Sequence, residues 1–309
     1  MPKNISFVMP VLNEEKYLAA AVESVFKQSV PAEMELVLAL GPSTDGTNKI
    51  ANELQDKYGS KLQLVDVPVA NTSSQLNAAI EKSTYEVVLR VDAHSELSEN
   101  YAATALEILE ATGAANVGGL MLAVGESDFQ SAVAYGYNNR IGLGGGAFHV
   151  GAKAGPAESV YLGVFDKAKL LSVGGFDPKW IRGQDWELNQ RLREAGHQVW
   201  FDPRLVVTYR PRSSWSALAK QFFKTGIWRG SLTRENPGAS SVRYWVPPML
   251  VLSLLFVVPF SVYLFAMAVF AILAKGLSTD SKLWLIAVLP TMHLSWGLGF
   301  WLGLIRGAK

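Results

Sequence analysis

The sequence predicts a doubly wound α/β domain with a mostly parallel sheet, followed by an interfacial amphipathic helix and two C-terminal transmembrane helices. Short apolar runs alternate with helical patterns through the first hundred residues, which is typical of a parallel sheet covered by helices. The end of the chain instead carries two long uncharged stretches, 246–273 and 283–305. Each exceeds the roughly 20 apolar residues that a membrane span requires.

The first four strands are predicted at apolar runs that each stop at a polar or turn-forming sequence. These runs cover residues 5–9, 35–40, 62–67 and 86–91. Ligands bind outside the carboxyl ends of the strands in sheets of this type. The segments at those ends include 10–14, 40–45 and 92–94.

The fourth strand ends in three residues that suggest a ligand site. Arg90, Asp92 and His94 alternate along the chain, so their side chains are expected on one side of the strand. A carboxylate and an imidazole are able to share a divalent cation, and an arginine is able to hold the anion that accompanies it. Taken alone, the same residues are also compatible with a surface turn after a core strand.

Four short motifs follow one another along the first hundred residues. They are Pro10-Val11-Leu12-Asn13-Glu14, Ser43-Thr44-Asp45-Gly46-Thr47, Leu76-Asn77-Ala78-Ala79-Ile80 and Val91-Asp92-Ala93-His94. In this order and spacing they resemble the nucleotide-sugar half of family 2 inverting glycosyltransferases of the GT-A fold. The closer likeness is to the membrane-bound branch that is similar to the succinoglycan biosynthesis glucosyltransferases.

The resemblance implies a UDP- or GDP-linked sugar donor and a divalent cation, Mg²⁺ or Mn²⁺. The implied metal ligands are Asp92 and His94, although most of the family has a second Asp where this chain has His94. A second departure is Leu40-Gly41, where the family usually carries acids that hold the nucleotide. The implied donor-binding residues are Pro10, Asn13, Glu14, Ser43, Asp45, Asn77, Arg90 and Asp92.

A second acidic stretch begins a predicted helix at residue 182. Asp185 lies in its first turn, three residues before Leu188 of the buried face, so it is expected to point toward the protein body. The resemblance implies that Asp185, preceded by Gln184, is the base that takes the proton from the acceptor hydroxyl. Glu187 faces elsewhere on the helix and is expected either to be structural or to contact and orient a residue of the site.

The segment between these two acidic stretches is predicted to complete the domain. A helix is expected at 100–109, and strands are expected at 117–124 and 159–165. The glycine-rich stretch 142–146 lacks the Lys-Ser/Thr and the strand-to-helix context of a phosphate loop. Two readings remain for it, a mobile loop that closes on substrate and a plain linker.

Residues 214–232 are predicted to form an amphipathic helix that begins at a serine cap and lies in the membrane interface. Attraction to anionic lipid alone would explain its basic residues. The resemblance adds a loose match to a motif that lines the acceptor and diphosphate site of membrane members. The acceptor and diphosphate residues implied in this way are Gln184, Gln221, Lys224, Trp228 and Arg229.

Composition and the distribution of basic residues predict a membrane protein whose main domain lies on the cytoplasmic side. Hydrophobic residues make up 49% of the chain and charged residues 18%, which shifts the balance away from that of a soluble protein. Basic residues crowd the approach to the first uncharged stretch, which predicts a plasma-membrane, multi-pass protein whose preceding domain is cytoplasmic. The absence of cysteine excludes disulfides and thiolate metal sites, and a net charge of +1 gives no indication of nucleic-acid binding.

The predicted segments are a donor-binding half (1–115), an acceptor-binding half with the base (116–212), the interfacial helix and linker (213–245) and the transmembrane region (246–309). The predicted activity is the inverting transfer of a sugar from a nucleotide to a lipid-linked or glycan acceptor, in polysaccharide or glycolipid biosynthesis. Two alternatives remain, a polyprenyl-phosphate sugar transferase and a non-catalytic membrane scaffold. A nicotinamide oxidoreductase is disfavoured because the first strand leads into no Gly-x-Gly turn.

Overall fold

A computed structural model describes residues 3–30, 32–93, 95–235 and 241–307. The chain forms two compact units. A sheet unit comprises Met1–Leu122 and Gly151–Tyr209, and a helical unit comprises Ala123–Val150 and Arg210–Lys309. This division differs from the four predicted segments, because the stretch 123–150 belongs with the C-terminal helices and not with the acceptor-binding half.

The sheet unit contains one mixed sheet in the strand order β3-β2-β1-β4-β8-β6-β9-β5, with β7 paired to β9. Its strands are β1 (Ile5–Val11), β2 (Met34–Leu40), β3 (Leu62–Asp66), β4 (Val87–Arg90), β5 (Glu96–Leu97), β6 (Asn116–Ala123), β7 (Gly155–Pro156), β8 (Tyr161–Asp166) and β9 (Val199–Tyr209). Strands β1 to β4 are parallel, as the alternating pattern predicts.

The other half of the sheet corrects the prediction of a mostly parallel arrangement. Strand β8 pairs antiparallel with both β4 and β6, and β9 pairs antiparallel with β5 and β7. The apolar runs that form β6 and β8 resemble those of the parallel strands. Strand direction depends on the connecting segments, which carry no directional signal in their composition.

Helices cover the sheet and place polar residues at the carboxyl ends of its parallel strands. They are α1 (Leu18–Phe26), α2 (Thr47–Tyr58), α3 (Thr72–Lys82), α4 (Tyr101–Thr112), α8 (Lys167–Ser172) and α9 (Gln184–Glu194). The core is continuous from the buried residues of β1, β2 and β4 to the apolar faces of α1 and α4. Burial of this apolar surface stabilises the fold by about 25 cal/mol for each Å², and it is the main force that holds the helices on the sheet.

The helical unit is built from α5 (Asp128–Tyr137), α6 (Arg140–Leu143), α7 (Ala147–Val150), α10 (Trp215–Glu235), α11 (Val246–Ser253), α12 (Val257–Leu273) and α13 (Thr279–Arg306). The glycine-rich stretch 142–146 is therefore not a structureless loop, because it joins two short helices. Helix α10 occupies the predicted position of the amphipathic helix, and its location in a membrane interface stays a prediction.

The first predicted transmembrane stretch, 246–273, is not one helix. The backbone of Phe256 is extended and separates α11 from α12. Pro259 is the third residue of α12, and backbone N–H groups in the first turn of a helix have no intrahelical acceptor. A proline is therefore tolerated at this position. Among the described residues only α13 is long and apolar enough to cross a membrane by length and composition, and α12 is shorter at 17 residues.

His293, a polar residue in the second uncharged stretch, is used for packing. Its Nδ1 lies 2.8 Å from the hydroxyl of Tyr263 on α12, and its Nε2 lies 2.8 Å from the carbonyl oxygen of Ile141 on α6. The imidazole therefore joins three helices of the helical unit. This arrangement agrees with helix packing, the alternative to a lipid contact for a polar residue in such a segment.

Candidate active site

The candidate site lies at the carboxyl end of β4, where the sequence predicts it. Arg90 is the last residue of β4 and exposes only 4% of its surface. Its guanidinium Nε and Nη2 both donate to Oδ1 of Asp92, at 3.1 and 3.0 Å. Alternation along an extended chain brings these two side chains together, as expected from residues two positions apart.

The same guanidinium also holds the predicted base. Nη1 of Arg90 donates to Oδ1 of Asp185, in the first turn of α9. One buried cation therefore bridges two carboxylates that lie 93 residues apart in the sequence (185 − 92). The sequence predicted each residue separately, and the structure shows that they form one cluster.

The pKa values of Arg90 and Asp185 are both raised, for different reasons. Burial alone would lower the pKa of Arg90, but the carboxylates of Asp185 and Asp92 raise it above its ordinary value. Burial raises the pKa of Asp185, and the charge of Asp92 adds to this, while Arg90 opposes both. A carboxylate with a raised pKa is a stronger base than an ordinary surface aspartate, which suits it to accept a proton near neutral pH.

An arginine on α9 holds the helix in place. Arg191 donates to both carboxylate oxygens of Glu187, at 2.5 and 2.8 Å. The same guanidinium donates to the carbonyl oxygens of Val173, at 2.5 Å, and Gly175, at 2.8 Å. Glu187 is thus structural, as predicted, since it orients the arginine that ties α9 to the preceding turn.

Asn77 holds the backbone at Phe176, the residue after Gly175. Its amide nitrogen donates to the carbonyl oxygen of Phe176 at 2.7 Å, and its amide oxygen accepts from the Phe176 N–H at 2.9 Å. The Phe176 ring in turn faces the guanidinium of Arg90, with 5.9 Å between the ring centroid and Cζ. Asn77 therefore positions the chain that leads to Asp185, and its contact with a donor stays a prediction.

The loops after β1 and β2 bind each other through predicted donor-binding residues. The N–H of Asn13, a residue with φ of +56°, donates to Oγ of Ser43 at 3.0 Å, and the N–H of Thr44 donates to Oδ1 of Asn13 at 2.8 Å. Asp45 accepts from the hydroxyl of Thr47 at 2.5 Å, which lowers the pKa of Asp45. These bonds give the two loops a defined shape beside the strand ends.

Pro10 and Glu14 belong to the same pair of loops. Pro10 lies in β1 opposite Ala39 of β2. The N–H of Glu14 donates to Oγ1 of Thr47 at 2.8 Å, which adds a bond between the two loops. Both residues thus flank the edge of the sheet at which Asp92 lies, and their contact with a donor stays a prediction.

Gln75 occupies the space beside the position at which the family usually carries an acid. Its amide nitrogen donates to the carbonyl oxygens of Val11, at 2.8 Å, and Ala39, at 2.9 Å. A Cβ on residue 41 would lie 2.9 Å from this nitrogen, so a side chain at Gly41 requires Gln75 to move. Sequence analysis does not identify Gln75, since a glutamine on a helix usually faces solvent.

The residues present fit a cation that arrives with a phosphorylated ligand. No cluster of three or more potential metal ligands occurs in the described part of the chain, and His94 lies outside it. Asp92 is one carboxylate at the correct edge of the sheet, with Oδ1 turned to Arg90. Mg²⁺ commonly uses one or two carboxylates together with substrate phosphates and water, so Asp92 would hold such a cation without a preformed protein cage.

The predicted acceptor residues are divided between the two units. Gln184 begins α9 next to Asp185 in the sheet unit, whereas the other four lie on α10 in the helical unit. Arg229 is buried, with its guanidinium 4.5 Å from the ring centroid of Trp228 and 3.9 Å from that of Tyr244. Lys224 is exposed and Gln221 is partly buried. A contact of these residues with an acceptor stays a prediction.

Comparison with known proteins agrees with this geometry. Residues 6–159 match the profile of Glycosyl transferase family 2. The succinoglycan biosynthesis protein ExoA of Rhizobium meliloti is 28% identical over 95% of this chain and 93% of its own length. A Methanococcus voltae dolichyl N-acetyl-alpha-D-glucosaminyl phosphate 3-beta-D-2,3-diacetamido-2,3-dideoxy-beta-D-glucuronosyltransferase is 26% identical over 98% of each chain.

A solved structure supports the same fold. The mannosyltransferase PcManGT from Pyrobaculum calidifontis, determined with GDP-Man and Mn²⁺, superimposes with a TM-score of 0.64. It is 15% identical, and the match covers 94% of this chain and 86% of that protein. With a mixed α/β sheet of this type and a profile match that includes β1, β4 and Asp92, the chain belongs to glycosyl transferase family 2.

Proposed function

We propose that this chain is an inverting, metal-dependent hexosyltransferase of the cytoplasmic membrane face. It moves a sugar from a UDP- or GDP-linked donor to a hydroxyl of a lipid-linked or glycan acceptor, in polysaccharide or glycolipid biosynthesis. The observation that supports this most directly is the cluster in which Arg90 holds both Asp92 and Asp185. It combines a proposed site for the leaving group with a partly buried candidate base, which are the two components that a single displacement requires.

The reaction forms one bond and breaks one bond at the anomeric carbon. The acceptor oxygen attacks that carbon, its proton passes to the carboxylate of Asp185, and the nucleoside diphosphate leaves with the electron pair of the broken carbon–oxygen bond. A sugar hydroxyl is a poor nucleophile at neutral pH, so a base in hydrogen-bond reach contributes typically about 10² to 10⁴ in rate. Attack on the side opposite the leaving group inverts the configuration.

Asp92 would hold the cation that neutralises charge on the departing diphosphate. When bound, a divalent cation stabilises the developing negative charge. The two loops joined by Asn13 and Ser43 flank the same strand ends, which supports the proposal that they contact the nucleotide. The donor of PcManGT, GDP-Man with Mn²⁺, illustrates the class of ligand proposed here.

The proposed acceptor is lipid-linked because the name of one relative that matches over nearly its full length describes such an acceptor. The Methanococcus voltae relative is named for transfer to a sugar on dolichyl phosphate, and the Rhizobium meliloti relative is named for succinoglycan biosynthesis. Both matches include the helical unit as well as the sheet unit, since they cover 98% and 95% of this chain.

A screen of nucleotide-sugars tests the proposal. Membranes that contain the full chain are incubated with each UDP- and GDP-sugar, and lipid-extractable products are identified by mass. One donor should give a product that contains one more sugar, and Asp92→Ala should remove the dependence of donor binding on Mg²⁺ or Mn²⁺. Donor affinity that is unchanged by Asp92→Ala would contradict the metal site.

Two outcomes would favour the alternatives. Full turnover by Asp185→Asn, with a sugar phosphate lipid as product, would indicate a polyprenyl-phosphate sugar transferase, since a phosphate nucleophile requires no base. Neither transfer nor hydrolysis with any nucleotide-sugar would indicate a non-catalytic scaffold.

A further inference from the structure

Helices α10 and α13 of the helical unit run side by side with their backbones in close approach. The rings of Trp215 and Trp284 lie 6.2 Å apart near the start of both helices. Further along, a Cβ on Gly226 would lie 2.0 Å from the carbonyl oxygen of Trp296, and a Cβ on Gly299 would lie 2.0 Å from that of Phe223. Because the backbones are this close along the length of the pair, the two helices share one environment.

The exposed residues of α10 are incompatible with the interior of a bilayer. Lys220 and Lys224 are exposed one turn apart. They lie on α10 between the Trp215 contact and the Gly226 contact, and therefore beside the middle of α13. If α13 crossed the membrane, both ammonium groups would lie near the bilayer centre, where charged side chains are costly and rare.

Burial within the protein accounts for one face of α13. Leu285, Val288, Leu289, Met292 and Phe300 have no exposed surface. Helix α13 packs against α10, α5 and other helices of the unit, whereas Leu283 and Ile305 are 62% and 70% exposed. A helix that packs against others on one face also has a largely apolar composition, so composition alone does not place α13 across a bilayer.

Much of the apolar surface that the described part of the helical unit leaves exposed lies on α11, α12 and the turn between them, and further exposed residues lie on α13. Four consecutive residues from this turn into the start of α12 are largely exposed, at 80% for Leu255, 62% for Phe256, 81% for Val257 and 73% for Val258. Farther along α12, Phe265 is 72% exposed. Monomeric soluble proteins rarely expose a continuous apolar surface of this kind, which marks a site of protein or membrane contact.

We propose that the helical unit binds a single leaflet through the exposed surface of α11 and α12, and that neither α12 nor α13 crosses the membrane. The 17 residues of α12 span about 25 Å at 1.5 Å per residue, less than the roughly 30 Å of a hydrocarbon core. No charged residue occurs from 244 to 274. The exposed residues Arg243 and Lys275 border this stretch, and they favour the anionic headgroups of a bilayer over an apolar protein groove.

Cysteine labelling distinguishes this arrangement from a span, because the chain has no native cysteine. Each variant reports on which side of the membrane one part of the chain lies. Lys49→Cys reports on the catalytic domain, Lys275→Cys reports on the turn between α12 and α13, and Arg306→Cys reports on the end of α13. All three positions are exposed. In sealed inverted membrane vesicles we expect a membrane-impermeant maleimide to label all three variants equally before and after detergent is added.

Any crossing of the membrane gives a different result. If α12 crosses, alone or together with α13, Lys275→Cys becomes reactive only after detergent is added. If α13 crosses alone, Arg306→Cys and Lys275→Cys lie on opposite sides. Either pattern overturns the proposal, and the labelling requires no catalytic activity, so its outcome is independent of the proposed reaction. It relies on the proposed function only for the cytoplasmic side of the catalytic domain.

Vesicle binding tests the surface itself. The double variant Leu255→Glu/Val258→Glu should bind vesicles of equal parts phosphatidylcholine and phosphatidylglycerol at least about tenfold more weakly than the unmodified chain, because two charges enter the buried face. The matched control is Leu171→Glu, an exposed apolar residue of the sheet unit at 51% exposure, which should bind normally. Equal binding of the double variant and the control would overturn the proposal, and circular dichroism verifies that each variant is folded.

Discussion

Asp185→Asn should change activity and stability in opposite directions. Loss of a general base costs about 10² to 10⁴ in rate, which corresponds to roughly 3 to 5 kcal/mol of barrier. Burial raises the pKa of Asp185, so the folded protein binds its proton more readily than the unfolded chain does. The stability that this group contributes is therefore present at low pH and is lost as the pH rises through the folded pKa.

It follows that the ionised carboxylate opposes folding near neutral pH, and that the neutral amide does not. The amide oxygen of Asp185→Asn keeps an acceptor for Nη1 of Arg90, the bond seen in the parent chain. We therefore expect a higher Tm than that of the parent at about pH 7.5. The difference should shrink as the pH falls toward the ordinary aspartate pKa of about 4, where the parent carboxylate is protonated as well.

Glu187→Gln is the matched control, because it removes an acid from the same helical turn. Glu187 pairs with Arg191 at 2.5 and 2.8 Å, and a hydrogen bond to a charged group contributes about 1.5 to 3 kcal/mol. We expect this variant to keep most of its turnover and to lose roughly 1.5 kcal/mol of stability, since glutamine retains one acceptor oxygen.

The assay is initial-rate transfer with the donor identified by the screen, combined with thermal melts of each variant from about pH 4 to pH 8. Turnover by Asp185→Asn within tenfold of the parent would refute the assignment of the base. A Tm below that of the parent at neutral pH would refute the inference that the ionised carboxylate opposes folding.

Two further variants test the cluster and the helix pair. Arg90→Met should lower the free energy of unfolding by about 3 to 5 kcal/mol, because it leaves two neighbouring carboxylates without the guanidinium that bridges them. In denaturant melts this loss of stability should be smaller at pH 5 than at pH 7. A stability equal to that of the parent at pH 7 would contradict the bridging role. Gly299→Leu should separate α10 from α13, where a Cβ already meets the Phe223 carbonyl oxygen. It should therefore lower the Tm of the full chain, whereas Gly145→Leu, at a position where a Cβ meets no atom within 4 Å, should have a smaller effect.

The position of the site could be predicted from sequence because it depends on local rules. Asp92 follows a run of buried residues, and the carboxyl ends of parallel strands lie at one edge of the sheet. The contact between Arg90 and Asp185 depends on how α9 is held, which involves the bonds of Arg191 to the backbone of Val173 and Gly175. Such bonds between a side chain and a distant backbone leave no periodic signal in the sequence.

The C-terminal region was harder to predict, because hydropathy does not distinguish a helix in a protein core from a helix in lipid. The stretch 246–273 is uncharged, yet the extended backbone at Phe256 divides it into two helices. The glycines that bring α10 against α13 are spaced four apart in both helices, at 226 and 230 and at 299 and 303. That spacing was a usable signal for helix pairing, and it would have linked the basic α10 to the apolar α13.

The geometry of Arg90 suggests a second role beside the one that its position predicts. The sequence placed it among the residues that bind the donor, with the diphosphate as its expected partner. In the structure Nε, Nη1 and Nη2 all point at Asp92 or Asp185, and only 4% of the residue is exposed. A guanidinium has five N–H donors, so most of its capacity is already used within the protein. We therefore expect Arg90 to act mainly by orienting both carboxylates, and its contact with the donor stays a prediction.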